Sequence, residues 1–595
     1  MRLGNFFDFA DPPDTYSQRY DLIIGNPPWL SRQGEEKDPK TTQWKGAEDF
    51  PFPGQSPTWG FVWKSSLLLK ETGIIALLIN AGHLFSTTAR GAMQKLYVDF
   101  KVHMLVNFAD ARFQLFDGAK APAALVVYGK KGSIAQNSSD IVEVFSPKAN
   151  PDYYVDKRIV LTADDAARIS QKKLATHPEH LIAYKWGRSR DRALLEDLRQ
   201  LFPTLGKRIA RYRQDRKIKS GKLLIGQGLY TGTKPVPAAL AEYLFIDADN
   251  DTLKWIPLAS DLQKFSEAGF TGIDSLRFIK PILEKGVAAP LVLVAQGISA
   301  KNGQLRAGYT EQTLVFTKSL QAIASPLGMV NPTALKILTA VLNSRLAAWF
   351  FLHAGSVSGV ERAKVHLEEL LLLPFPFPEE SPNPAAGQAL VKLLDSFADA
   401  RKQEAEIAYQ VKQGKLASHS NIDEAEMERK ASALVYQYYG LTDSECQIID
   451  DAHNYILPGL QPKIHSKTYP KLWDIPDSTM LDSYSRKLQE ALSANYKEPT
   501  DISVTIYTGS SVPLNIAVVE LHVGNACTVN AVDANLQQIL KQFEGSWPGK
   551  FAEGVHSLAH IVFAEGSRLT LIKPNRIRHW MPSAALCDAD RILAD

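Results

Sequence analysis

Between Tyr20 and Lys131 short apolar runs alternate with amphipathic stretches: DLIIG, then FVWKSSLLLK, GIIALLIN, RGAMQKLYVDF, HMLVNF and AALVVYG. Strands of about five residues separated by helix-length segments predict a doubly wound α/β sheet. The last two runs lie close enough to pair as a hairpin, so the sheet is expected to be mostly parallel and to end antiparallel. From about Val142 to Phe377 the texture becomes mixed α+β with many loops. Pro374, Pro376, Pro378, Pro382 and Pro384 then mark a linker. Apolar spacing in ALVKLLDSFADA and ALVYQYYG predicts a helical region. Beyond Pro470, ISVTIYTG, IAVVELHVG and RLTLIKP read as strands around the helix-like ANLQQILKQF, a small separate α/β domain. The expected division is 1–141, 142–378, 379–469 and 470–595, without internal repeats.

The first apolar run stops abruptly, at Gly25-Asn26-Pro27-Pro28-Trp29. Ligands of open α/β sheets bind at the carboxyl ends of the strands, where these residues would sit. Two prolines fix two φ angles and withhold two N–H donors, leaving a stiff loop that presents acceptors. The Asn26 side-chain carbonyl beside the main-chain carbonyl of Pro27 makes two acceptors for one NH2 group, and Trp29 offers a flat face. The set suits an exocyclic amine on a flipped-out base, which must be unstacked, held by its edge and clamped by a ring. A strand-terminating turn with a half-buried Trp explains the same four residues.

Composition narrows the setting. A chain of 595 residues exceeds a single core, and 45% hydrophobic with 22% charged residues is ordinary for a globular protein. A net charge of +3 requires any nucleic-acid footprint to be local. No run reaches about 18 apolar residues and MRLGNFFDF lacks the build of a signal peptide, so a cytoplasmic location without membrane contact is expected. Cys446, Cys527 and Cys587 are too scattered for a disulfide framework or a Cys-based zinc site, and no metal is expected.

DLIIGNPPW resembles the catalytic motif of amino-group DNA methyltransferases, in which Asp/Ser/Asn-Pro-Pro-aromatic follows a hydrophobic strand. The Asn form is typical of the adenine-N6 enzymes of restriction-modification systems. FVWKSSLLLKETGIIALLINAGHLFST and FQLFDGAKAPAALVVYG are similar to that family's next helix and strand and its final hairpin. The resemblance implies a partial Rossmann-like methyltransferase sheet followed by an α+β target-recognition domain, with Asn26, Pro27, Pro28 and Trp29 catalytic. It also implies S-adenosylmethionine as methyl donor and double-stranded DNA as substrate. The family places a second aromatic against the flipped base; Phe116 matches it best, with Phe113 as fallback, and an ordinary core Phe is the plainer alternative.

The family's cofactor glycine loop and acid lie before NPPW, and only 25 residues precede Asn26 here. LGNFFDF resembles the segment that reaches the cofactor adenine, which puts Asn5 and Asp8 beside the cofactor. Gly226, Gly228 and Gly232 imitate a glycine loop, but no strand-helix-strand with an acid follows them. The cofactor half is therefore expected on a partner chain, or lost. For DNA, the segment 185–222 holds 13 Lys or Arg against 4 Asp or Glu. Arg208, Arg211, Arg213, Arg216, Lys217 and Lys219 suit phosphates, and Lys234 and Lys301 lie in candidate readout loops. A solvated helical face accounts for such a charge run too. The leading expectation is a DNA adenine-N6 methyltransferase; the alternatives are a non-catalytic DNA-recognition subunit and an RNA or protein methyltransferase. The segment KPNRIRHW, 573–580, finds no role in any of them.

Overall fold

A computed structural model describes residues 6–8, 20–29, 50–116, 121–131, 140–151, 159–215, 225–248, 253, 255–256, 262–275, 290–299, 303–312, 314–324, 332–356, 358–360, 364–412, 423–460, 471–495, 502–509, 516–544, 557–558 and 561–594. The chain divides into two compact units. One joins Met1–Arg192, Ser356–Arg362 and Gly459–Asp595; the other joins Ala193–Gly355 and Ala363–Pro458.

In the first unit, β1 (Tyr20–Gly25), β2 (Leu69–Asn80), β3 (Phe100–Asn107), β4 (Ala123–Lys130), β5 (Ile141–Phe145) and β7 (Ala166–Ser170) form one mixed sheet in the order β1-β2-β4-β3-β5-β7; the short β6 (Leu161–Thr162) precedes the last of them. β1 runs parallel to β2, pairing Ile23 with Ile75 and Gly25 with Leu77. The expected hairpin is present, but β4 inserts between β2 and β3, antiparallel to both. The helix Pro57–Leu68 carries the chain from β1 to β2, and Arg90–Asp99 carries it from β2 to β3.

Strand alternation decides the packing. Ile75, Leu77 and Ile79 point one way into a core with Trp59, Trp63, Met93 and Leu96. The intervening Ile74 is 41% exposed, as are Leu22 at 56% and Ile24 at 74% on β1. A doubly wound sheet would bury both faces; at β1 and β2 only one face is covered among the described residues. The sheet also runs on past residue 141, because β5 pairs with β3 and β7 with β5.

The C-terminal sheet has five strands, ordered Cys527–Asn530, Ile502–Tyr507, Ile516–Val523, Arg568–Pro574, Ile561–Glu565. The helices Ser478–Ser493 and Pro582–Ala594 close its core through Tyr484, Leu488 and Ala585, with Trp580 from the short helix Ile577–Trp580 between strand and helix. Expected as separate, this domain is tied to the part that carries the six-stranded sheet: Ser557–Leu558 pairs in parallel with β6. Arg578 meets Asp165 in a buried ion pair.

The second unit combines small sheets with helices. Its four-stranded sheet orders Ala307–Thr310, Leu291–Ala295, Leu320–Ala324 and Ile225–Gln227. The proline-rich stretch is pinned rather than loose: Tyr439 and Tyr438 hydroxyls donate to the carbonyls of Pro374 and Pro376, each at 2.8 Å. Among the described residues no single helix is long and apolar enough to cross a membrane. All three cysteines are free, with Cys587 buried.

Candidate active site

Three strand ends of the first sheet carry an asparagine: Asn26 just beyond β1, Asn80 closing β2 and Asn107 closing β3. Asn80 and Asn107 are used locally, their side-chain oxygens accepting from the N–H groups of Gly82 at 2.7 Å and Ala109 at 3.0 Å. Each thereby turns the chain out of its strand. Asn26 is different. Its side chain is exposed and makes no hydrogen bond to a described residue, while Pro27 beside it is buried.

Among the described residues, two side-chain hydrogen bonds hold the loop. Fully buried Thr58, in the first turn of the helix Pro57–Leu68, donates its hydroxyl to the Pro28 carbonyl at 3.1 Å. The Trp29 indole N–H donates to the Leu78 carbonyl on β2, also at 3.1 Å. The prolines supply acceptors and stiffness; Thr58 and Leu78 supply the placement.

Phe116 follows a short helix, Arg112–Leu115, and its N–H donates to the Arg112 carbonyl at 3.1 Å. Its ring meets Trp29 edge to face, with centroids 6.3 Å apart and planes at 79°. The fallback residue Phe113 instead lies under the Arg112 guanidinium at 4.2 Å. A base sandwiched between two rings needs about 3.5 Å on each side with the rings parallel, whereas these two stand edge to face. The wall bearing Phe116 is braced from the far side: Gln114 makes two hydrogen bonds with Asn150, at 2.6 and 3.0 Å, and Asp110 accepts from the Ala149 N–H at 2.8 Å. These braces had no signature in the sequence beyond polar residues inside an aromatic stretch.

Nearby on the same elements, His83 Nε2 lies 3.3 Å from the Ser56 hydroxyl and its ring meets Trp59 edge to face. Burial lowers its pKa to about 4, so the ring is neutral at physiological pH.

On the cofactor side the picture is partial. Asp8 closes a short turn, Phe6–Asp8, whose rings pack on Phe61 and whose Phe7 carbonyl faces the buried Lys64 ammonium at 3.5 Å; Asn5 lies outside the described residues. No strand, glycine loop and helix of the kind that holds S-adenosylmethionine is joined to β1 among the described residues. Gly226 and Gly228 serve a different purpose. Gly226 pairs with Ala322 in a sheet, and a Cβ on Gly228 would sit 2.1 Å from the Phe316 carbonyl. The described residues therefore fit the amine-holding side of a methyl transfer and not the cofactor-holding side. Nor does any group of three His, Cys, Asp or Glu among them suit a metal ion.

The candidate DNA contacts separate. Arg208 is consumed internally, paired with Glu380, bonded to the Phe375 carbonyl at 3.0 Å and lying on the Phe377 ring; it ties its helix to the proline-rich stretch and is withdrawn as a phosphate contact. Arg211 on the same helix and Lys234 on the strand Tyr230–Lys234 are exposed. The Arg213 side chain, Arg216, Lys217, Lys219 and Lys301 lie outside the described residues. Further back in the basic segment, Lys185 donates to the Ser358 carbonyl at 2.6 Å, Arg188 pairs with Asp164 and Arg190 with Asp590. Much of that charge is internal.

A parallel pair of strands with an antiparallel third, a Pro-Pro loop at the carboxyl end of the first and two rings in edge-to-face contact make up this site. Residues 5–184 match the family model described as N-6 DNA Methylase, a span that takes in every strand of the six-stranded sheet. No curated protein matches the chain. Solved structures with a similar arrangement include the type IIL restriction-modification enzyme MmeI in complex with DNA, at 12% identity and TM-score 0.37, covering 71% of this chain and 55% of that one. The type IIG restriction endonuclease BpuSI is similar at 13% identity and TM-score 0.25, covering 71% and 54%. The chain thus spans about half the length of these proteins.

Proposed function

We propose that this chain carries the base-handling and target-recognition parts of a DNA methyltransferase that modifies adenine N6, in a restriction-modification or related defence system. The observation that supports it best is the loop itself. Asn26 is exposed at the carboxyl end of β1, Pro27 is buried behind it, and Trp29 is hooked to Leu78 so that its ring faces Phe116. In this reading the target adenine leaves the duplex and enters between Trp29 and Phe116. Its amino group donates one N–H to the Asn26 side-chain oxygen and the other to the Pro27 carbonyl. The lone pair of an adenine amine is delocalised into the ring; holding both protons favours a pyramidal, more nucleophilic nitrogen. S-adenosylmethionine supplies the methyl group when bound. Arg211 and Lys234, both exposed, are the phosphate contacts in this reading.

The cofactor side is supplied, in this proposal, by polypeptide that pairs with the outer edge of β1. That strand has one described neighbour, β2, and exposes Leu22 and Ile24. Apolar edge strands are normally covered or interrupted. The test is transfer of labelled methyl from S-adenosylmethionine to DNA, with and without a polypeptide carrying the first three strands of the sheet. Asn26→Ala should lower turnover by about 10² or more with DNA affinity little changed. Equal losses in binding and turnover would make the loop structural and leave a non-catalytic recognition subunit. Calorimetric titration of this chain alone should show weak cofactor binding or none; micromolar binding would refute supply by other polypeptide.

A further inference from the structure

The basic segment that found no role in the sequence, 573–580, lies in the C-terminal domain, yet its contacts run toward the base-handling loop. Arg578, 5% exposed, places two N–H groups on the Asp165 carboxylate, at 2.5 and 3.2 Å. Burial alone would raise that carboxyl, but Arg578 and Lys148 hold it below the usual carboxylate range. The same carboxylate accepts from the Thr162 N–H and hydroxyl, at 2.9 and 2.8 Å. Its neighbour Asp164 pairs with Arg188 at 3.1 Å and with Arg591 at 2.9 Å. The Asp164-Asp165 turn is thereby held between the two domains of this unit by charge on both residues.

From that turn the path is short, and its links between segments are hydrogen bonds. The Asp165 main-chain carbonyl accepts from the Ser146 N–H at 2.8 Å, at the end of β5. Residues 146–150 follow, irregular in backbone and every one buried. A buried irregular segment must find partners for its polar groups. Ala149 finds Asp110, Asn150 finds Gln114, and the Lys148 ammonium bonds the carbonyls of Ser146 and Lys185 while standing over Trp186. Gln114 and Asp110 belong to the wall that ends in Phe116.

We propose that Arg578 is a positioning residue for the base clamp: through Asp165 and the buried segment 146–150 it fixes the Gln114 wall and so the attitude of Phe116 toward Trp29. The C-terminal domain then acts as a brace for the catalytic loop. The functional part of this inference rests on reading Phe116 as the base-stacking ring; the mechanical part does not.

Hydrogen-deuterium exchange of the full-length chain separates the two. In Arg578→Gln, amides of residues 108–116 should exchange about tenfold or more faster, while those of β2 and β4 keep wild-type rates. Arg578→Lys keeps the charge and one bond and should fall between the two. Gln114→Ala cuts the two bonds to Asn150 at the last step and leaves that from the Ala149 N–H to Asp110. It should reproduce the change at 108–116 without loosening 561–594, and it carries the test if Arg578→Gln fails to fold. Arg486→Gln, an exposed substitution on the helix Ser478–Ser493, should change neither region. Wild-type exchange at 108–116 in Gln114→Ala, or loosening confined to 561–594 in Arg578→Gln, would overturn the brace. Loss of methyl transfer plays no part in this readout, so failure of the methyltransferase reading remains distinguishable.

Discussion

Thr58→Val tests whether the loop is held by design or merely ends a strand. The substitution keeps the buried shape and removes one donor, the hydroxyl that reaches the Pro28 carbonyl at 3.1 Å. A net hydrogen bond is worth about 0.5–1.5 kcal/mol, and because Pro28 is exposed its carbonyl can regain water, which favours the lower half of that range. For a unit of this size each kcal/mol lowers Tm by roughly 1–2 °C, so a drop of about 1 °C is expected. Turnover should fall more than stability. One of two side-chain anchors is gone, and a shift of about 1 Å in a reacting group can cost about 10²-fold. We expect about a tenfold loss in kcat with DNA affinity unchanged. Ser66→Ala is the control: on the same helix it deletes a buried hydroxyl that donates to the Trp63 carbonyl at 2.6 Å, away from the loop. Both variants should melt alike, and only Thr58→Val should lose methyl transfer to DNA, assayed with the complementing polypeptide. Equal activity in the two would refute the idea that Thr58 places the catalytic carbonyls.

Trp29→Ala and Phe116→Ala should each weaken capture of a flipped base by roughly 1–3 kcal/mol, read with a fluorescent base analogue; equal stacking in wild type and variants would reject the clamp. Because the folded pKa of His83 is about 4 against 6.5, its contribution to stability is present above pH 6.5 and is lost as pH falls toward 4. Between pH 7 and pH 5 urea titrations should lose at most about 2 kcal/mol through this group, since part of the ring meets solvent. His83→Gln should show a correspondingly smaller loss; an identical pH dependence refutes the assignment. Asp588→Ala strands the Lys573 ammonium, which bonds Asp588 at 2.6 Å and Tyr484 at 3.1 Å with no exposed surface, and should cost about 3–5 kcal/mol. Replacing both partners, Lys573→Met with Asp588→Leu, should recover most of it in denaturant melts; a double variant as unstable as the single would contradict the desolvation argument.

The strands of the first sheet were legible because period-two alternation and segment length are local properties, and DLIIG, GIIALLIN, HMLVNF and AALVVYG form strands where those runs stand. Trp29 and Phe116, both singled out through the family resemblance, meet edge to face, while Phe113 lies against the Arg112 guanidinium. The basic segment was misleading at Arg208 for a general reason. Sequence counts charges but not their partners, and Glu380 lies 172 residues away.

Local chemistry written in the sequence determined that β1 ends in a stiff, acceptor-rich loop, since proline dihedrals and an amide side chain need no tertiary context. It also located four of the six strands of that sheet, but not β5, β7 or the full length of β2. Tertiary structure alone decided what holds the loop and what braces its far wall. Thr58, Leu78, Asp165 and Arg578 are ordinary residues until folding brings each within hydrogen-bonding distance of a partner 30 to 413 residues away. A hydrogen bond depends on a few tenths of an ångström between groups whose approach is set by the packing of whole elements, and no local pattern in the chain encodes that distance.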